Sequence, residues 1–529
     1  MVRSPLAALA LAVLAHTAAC VAPATARAQS VSRDWSPEDR LVLGDFSRVV
    51  TVAAGMEGVY VVSPTAVLLW RPLQQRWEAP VQAPRQAGLE RAVASLVDPL
   101  DQSLWIARPD GWAHYQPELR LWEQGSVPGV RGMAFDQDGI SGLYLRTGGG
   151  WYTVARGSPV AMPSSPPARP LLPASVEEAL RENPGLQANT AQVLLDQRLR
   201  PARYTSAARS VDRRGWYLGT WGLGVLFLSD ASIFPQRLSF GLAGGSVGAL
   251  FAAPDGVWAA TDRTSQDDAA VTFVAGDLSE FRTVRGLAAT GLPFSQVRRI
   301  VGQGRSLWAA TDAGVVRIDG ESGDATLVDA GRGMPDSRAL SLASRRGRLT
   351  VGTAHGLVRV DDSLGVHRLA PGFVDAALAV AVRNDSTWVG TPVGLFVLPE
   401  GSDDLLLPRG RGEGPTFREP VVDLAWLGET LVGLTRDRLL WRDARGAWGE
   451  GPALSSLLGR LVRIVPDGDG FWVAGERGVG WARLTTMPLR TLRIGDLPAA
   501  PTDLAVDDDH LWVGTAEGLV RFRLDAVRP

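Results

Sequence analysis

The sequence predicts an all-β chain folded as a β-propeller of about eleven four-stranded blades, with a short helical insertion. Three observations lead there: a repeat near forty residues, strands that are apolar on both faces, and glycine-marked hairpins that close them. The clearest copy is Leu511-Trp512-Val513-Gly514-Thr515-Ala516-Glu517-Gly518-Leu519-Val520-Arg521. Close echoes run over Leu307–Arg317, Thr350–Arg359 and Thr387–Leu395, and weaker ones begin at Tyr60, Trp105, Tyr144, Tyr217, Trp258, Leu431 and Trp472. From Tyr217 to Trp512 the successive spacings are 41, 50, 42, 38, 43, 41 and 40 residues. Helical repeats would need apolar positions at 3.6-residue spacing, and these segments lack it.

Each element of the repeat has a physical reason. In a strand over Leu511–Thr515, Leu511, Val513 and Thr515 face one side while Trp512 and Gly514 face the other. Neither side is polar, as expected of a sheet covered on both faces by neighbouring blades. Ala516-Glu517-Gly518 supplies a hairpin whose glycine can take positive φ, and Leu519–Phe522 return as the next strand. The strand before each tryptophan ends in an Asp/Gly turn, as in Pro254-Asp255-Gly256 and Pro466-Asp467-Gly468-Asp469-Gly470.

Along the chain, residues 1–28 read as a signal peptide. Arg3 gives a positive start, Leu6–Leu14 a short apolar run, and Ala26-Arg27-Ala28 a cleavage site. Thr17-Ala18-Ala19-Cys20 resembles a lipobox, so a lipid anchor at Cys20 is the alternative to a soluble exported form. No run long enough to span a bilayer follows. Residues 29–157 carry three weak repeats and residues 211–529 eight strong ones. Between them, residues 158–210 break the period with a proline-rich stretch and two helical segments. The first helix opens on a capping box at Ser175-Val176-Glu177-Glu178, and the second runs over Thr190–Leu199. Eleven blades suit two propellers, of four or five and six or seven blades, with one wide ring as the alternative. The last repeat ends after three strands, and Asp39–Val52 is the candidate for its outermost strand.

The pattern D-x-D-G-x-L-W-x-G-T-x-x-G-L-x-R resembles the two-component regulator propeller repeat over residues 40–526. That resemblance implies a propeller of the cell envelope, of the kind found in periplasmic sensor domains. No kinase, transmembrane helix or terminal sandwich domain accompanies it here.

Composition narrows the function classes. The net charge is −2 and all 54 basic residues are arginine, so no basic face marks a nucleic-acid binder. With the leader removed the chain has no cysteine, which excludes disulfides and thiol catalysis. His355 and His510 sit in or beside repeat hairpins, but no two histidines share a metal-ligand spacing. Asp507-Asp508-Asp509 and Asp467-Gly468-Asp469-Gly470 read as turns, because carboxylates spaced for calcium are missing. No cofactor site is evident. The candidate partner-binding residues are Arg198, Arg200, Arg203, Arg209, Arg213 and Arg214, six guanidiniums within seventeen residues. Such forks suit the carboxylates of an acidic protein or glycan. Trp112 and Trp221 lie outside the tryptophan column and are expected to be exposed for ligand stacking. The expected function is a non-enzymatic binding scaffold for an envelope protein or glycan. A metal-dependent propeller lyase or hydrolase and a detached periplasmic sensor are the alternatives.

Overall fold

The computed structural model describes residues 35–36, 38–137, 142–183, 202–232, 234–263, 269–285, 294–303, 306–383, 386–408 and 418–529. The leader, Cys20, Arg198, Arg200 and the helix expected over Thr190–Leu199 lie outside them.

The described residues form eleven antiparallel sheets, most of them four-stranded meanders. Strand His510–Thr515 shows why the repeat makes a blade: Leu511, Trp512, Val513 and Thr515 are all fully buried, covered on both faces. The Thr515 hydroxyl donates to the Gly518 carbonyl at 2.8 Å and accepts from the Glu517 amide at 3.2 Å. Thr311, Thr353 and Thr391 close their hairpins in the same way. This is the physical content of the Gly-Thr-x-x-Gly motif. Gly518 has φ +131°, and a Cβ there would lie 2.6 Å from the Leu43 carbonyl, so no other residue fits.

Seven sheets close a ring. Their innermost strands are Val247–Ala253, Val297–Gln303, Ala339–Arg345, Ala379–Arg383, Asp423–Leu427, Leu461–Asp467 and Pro501–Val506. Each packs on the next, and the last packs on the first. These are ring blades one to seven. Blade seven takes its outermost strand from Arg40–Leu43, which pairs antiparallel with Gly518–Arg523 from Arg40↔Phe522 to Leu43↔Leu519. Leu41 and Leu43 are buried with Trp512, Leu250 and Leu519, so the outer edge of that blade is covered and both ends of the described chain share one sheet.

The other four sheets lie in sequence between that closing strand and ring blade one. Arc blades A to D span residues 51–82, 94–126, 130–171 and 203–238. Their first strands pack in the order D, A, B, C. Blade D opens the run of strong repeats yet belongs to the arc, so the strength of a repeat does not decide which body it joins. The proline-rich stretch supplies two strands of blade C, Ala161–Ser164 and Pro170–Leu171, both at sheet edges where proline is tolerated. The helix Val176–Glu182 starts at Ser175, whose hydroxyl accepts from the Glu178 amide at 3.0 Å. It packs Val176, Ala179 and Leu180 onto Trp216, Leu218 and Leu226 of blade D.

Candidate functional site

The arginines that are neighbours in sequence are divided by the fold. Arg203 and Arg209 mark the two ends of one strand, which at about 3.3 Å per residue puts them roughly 20 Å apart. At one end Arg203 lies opposite Trp221, its guanidinium 5.8 Å from the indole centroid. Trp221 is 38% exposed. At the other end Arg209 donates to both Asp230 carboxylate oxygens at 2.8 Å and to the Arg213 carbonyl at 2.8 Å. It also covers the Trp216 ring at 5.2 Å, so its work is to pin the outer loop of blade D. Arg213 and Arg214 project from the hairpin tip beside Asp212. Among the described residues the expected single basic patch is two separate ones.

Trp112 corrects the sequence reading outright: it is 1% exposed, packed between blades B and C beside Trp105, with ring centroids 5.2 Å apart. The signal was Gly125, its cross-strand partner, where a Cβ would lie 2.5 Å from the indole nitrogen. A glycine facing a tryptophan marks a buried indole.

The histidines stay with local partners. His355 pairs with Asp336 at 2.5 Å in ring blade three, and His510 with Asp507 at 3.4 Å in ring blade seven, so the two do not meet. His114 stacks on Trp105 at 3.8 Å, bonded to Ser103 and Glu123; burial lowers its pKa against the pull of Glu123. The aspartates of the two acidic turns cap indoles: Asp507 accepts from the Trp512 Nε1–H at 2.7 Å and Asp467 from that of Trp472 at 2.9 Å.

Sequence reasoning missed the centre of the ring. In five blades the innermost strand carries a bulge after its first residue, at Val247, Val297, Ala339, Leu461 and Pro501. The positions beyond it, with Ala379 and Asp423 from blades four and five, read Ala249, Arg299, Ser341, Ala379, Asp423, Arg463 and Asp503; all but Ala249, which packs in the core beside Trp258 and Ile300, line the central channel. The Arg463 Nη1 donates to both Asp423 oxygens at 3.2 and 3.1 Å, its Nε lies 2.5 Å from Asp503, and Arg299 reaches Asp423 at 3.3 Å. The carboxylates also accept from the next blade's backbone: Asp423 from the Ile464 amide at 3.1 Å, Asp503 from the Leu250 amide at 2.7 Å. Burial pushes both carboxyls up, Asp503 to about 7, while the Arg299 charge opposes it. Only about 100 Å³ of open space remains there. The channel is a staple between blades. Its signal was a column of charge at one position of the repeat.

A groove of about 740 Å³ lies between arc blades A and D. The outer strands of both blades are short, Arg76–Trp77 and Gln236–Leu238, so their peripheries do not cover one another. Trp70, Tyr217 and Phe227 line it, with Tyr217 and Phe227 centroids 4.8 Å apart. Exposed Met56, Leu73 and Val211 form its rim, and Gln75, Gln236, Ser210 and Asp212 add polar groups. Burial pushes the Tyr217 phenol up to about 12, so it stays protonated and able to donate. Arg71 is held by Glu57 and Glu78 at 3.2 and 2.7 Å, which fixes the blade A wall. An aromatic wall with scattered amides and a carboxylate suits a ligand that has both apolar faces and hydrogen-bonding edges.

No protein-family model and no curated protein matches this chain. Solved structures do. PorZ, a bacterial surface component of the type-IX secretion system of Porphyromonas gingivalis, is 13% identical with a TM-score of 0.47, covering 90% of this chain and 68% of its own. The extracellular domain of a putative hybrid two-component system from B. thetaiotaomicron is 12% identical with a TM-score of 0.41, covering 90% and 70%. The computationally designed Ika8 protein is 12% identical with a TM-score of 0.38, covering 53% and 96%. The fold assignment stands on the blades themselves.

Proposed function

We propose that this chain is an exported binding scaffold of the cell envelope, built from repeats of the two-component regulator propeller type. Its proposed partner is an envelope protein or glycan, held in the groove between arc blades A and D. Export rests on the leader-like Arg3, Leu6–Leu14 and Ala26-Arg27-Ala28, and the repeat type on the shared threonine-closed hairpins. The observation that carries the binding role is the groove itself. Its aromatic wall and exposed Met56, Leu73 and Val211 form an apolar surface that water meets, flanked by polar groups that can fix orientation. A glycan array together with capture from envelope extracts tests the reading. The triple variant M56D/L73D/V211D changes only exposed rim positions and should fold as the wild type while losing capture. Capture that survives the three charges would contradict the proposal.

A further inference from the structure

The ring carries a second opening, created by one departure from its own repeat. The position of Trp512 in blade seven is held by Trp258, Trp308, Trp388 and Trp472 in blades one, two, four and six, all buried. Blade five has Val432 there, and blade three has Thr350. Where the tryptophan is present in blades two and seven, an arginine lies on it from the next strand. Arg317 faces Trp308 and Arg521 faces Trp512, each guanidinium 5.8 Å from the indole centroid. In blade three the same register pairs Arg359 with Thr350, and the indole it would cover is missing. A groove of about 550 Å³ stands at this place, between blades three and four.

Blade three adds further cations to this groove. Arg345 and Arg348 are cross-strand partners on the face that also carries Thr350 and Arg359, and Arg346 sits at the turn between them. Among the described residues Arg346, Arg348 and Arg359 have no carboxylate within ion-pair distance. The opposite wall is blade four, with Thr387 and Leu398 paired on one face, then Ser386, Ser402, Glu400 and Asp403 around the mouth. Unpaired guanidiniums beside a partly buried floor bind carboxylates in fork geometry. The serine and threonine hydroxyls and the two acidic side chains can exchange hydrogen bonds with a ligand's hydroxyl groups. Those same carboxylates repel a ligand that is nothing but negative charge.

We propose that this groove is a binding site for a polyhydroxylated carboxylate of acidic-sugar size, gripped by Arg348 and Arg359. It is separate from the groove between arc blades A and D and does not depend on the role proposed for it. Isothermal titration of the full exported chain with digalacturonate, galactobiose and inorganic phosphate tests the site. Digalacturonate should bind, galactobiose and phosphate should not, and R348Q/R359Q should weaken binding by about tenfold or more. T350W refills the vacant indole position under Arg359, so it should abolish binding while leaving the denaturation midpoint unchanged or raised. M56D/L73D/V211D should bind digalacturonate as the wild type does. The proposal is overturned by no binding of digalacturonate, by equal binding of galactobiose or phosphate, or by full binding in folded T350W.

Discussion

Replacing Trp512 with alanine removes the indole at the ring's closing blade. A buried tryptophan covers about 150–250 Å² of surface, worth at roughly 25 cal/mol per Å² close to 4–6 kcal/mol before alanine's own share is subtracted. Large-to-small core changes of this kind cost about 3–5 kcal/mol. Trp512 is 0% exposed and packs on Leu41 and Leu43 of the closing strand, on Leu250 of blade one and on Leu519 of its own blade, so collapse into the gap would have to move three strands. Its Nε1–H bond to Asp507 adds less than about 1 kcal/mol, because water can reach that carboxylate once the indole is gone. The expected loss is therefore about 3–5 kcal/mol in urea unfolding followed by tryptophan fluorescence and circular dichroism. Trp308→Ala and Trp388→Ala should behave alike, whereas Thr350→Ala, at a position without an indole, should cost under about 1.5 kcal/mol. Losses under about 1 kcal/mol at all three tryptophans would refute the packing argument.

In the channel, Arg463→Ala leaves Asp423 and Asp503 buried without their shared cation and should destabilise by about 3–5 kcal/mol in the same assay. At Asp507, burial pushes the carboxyl up. The His510 and Trp512 side chains and the Asp509 and His510 amides outweigh that, holding it at about 2 against an ordinary 3.8. A carboxyl lowered by folding stabilises above its unfolded pKa and loses that contribution as pH falls through the folded value. About 2 kcal/mol should therefore disappear between roughly pH 4 and pH 2, and Asp507→Asn should flatten this acid limb of a stability–pH curve. Leu43→Ala weakens the strand that closes blade seven and should cost about 2–5 kcal/mol, read as a lower unfolding midpoint.

The blades were legible because their defining residues act locally. Trp512, Thr515 and Gly518 settle strand, hairpin and burial within one stretch of chain, and several repeats restate them. Membership of the ring or the arc was not legible, because it depends on which first strands meet, and the repeat at Tyr217, which runs on in sequence into the ring repeats, packs in the arc. Of the arginine cluster, Arg203 and Arg209 stand at opposite ends of one seven-residue strand, and sequence distance says nothing of that. Trp112 was misread by its place outside the tryptophan column, although Gly125 opposite it held the evidence of burial. The charges at Arg299, Asp423, Arg463 and Asp503 share one repeat position, so aligning the blades by their first strands, rather than by their tryptophans, would have brought the channel into view.

Site-specific photocrosslinking tests whether the proposed partner sits in the groove between arc blades A and D. A photoreactive amino acid placed at Leu73, fully exposed on the groove's rim, is compared with one at Val393, exposed on a hairpin of ring blade four. In cells exporting the protein, the Leu73 probe should give a discrete crosslinked species that M56D/V211D removes, and the Val393 probe should give none. The same species from both positions, or from Val393 alone, would contradict the account.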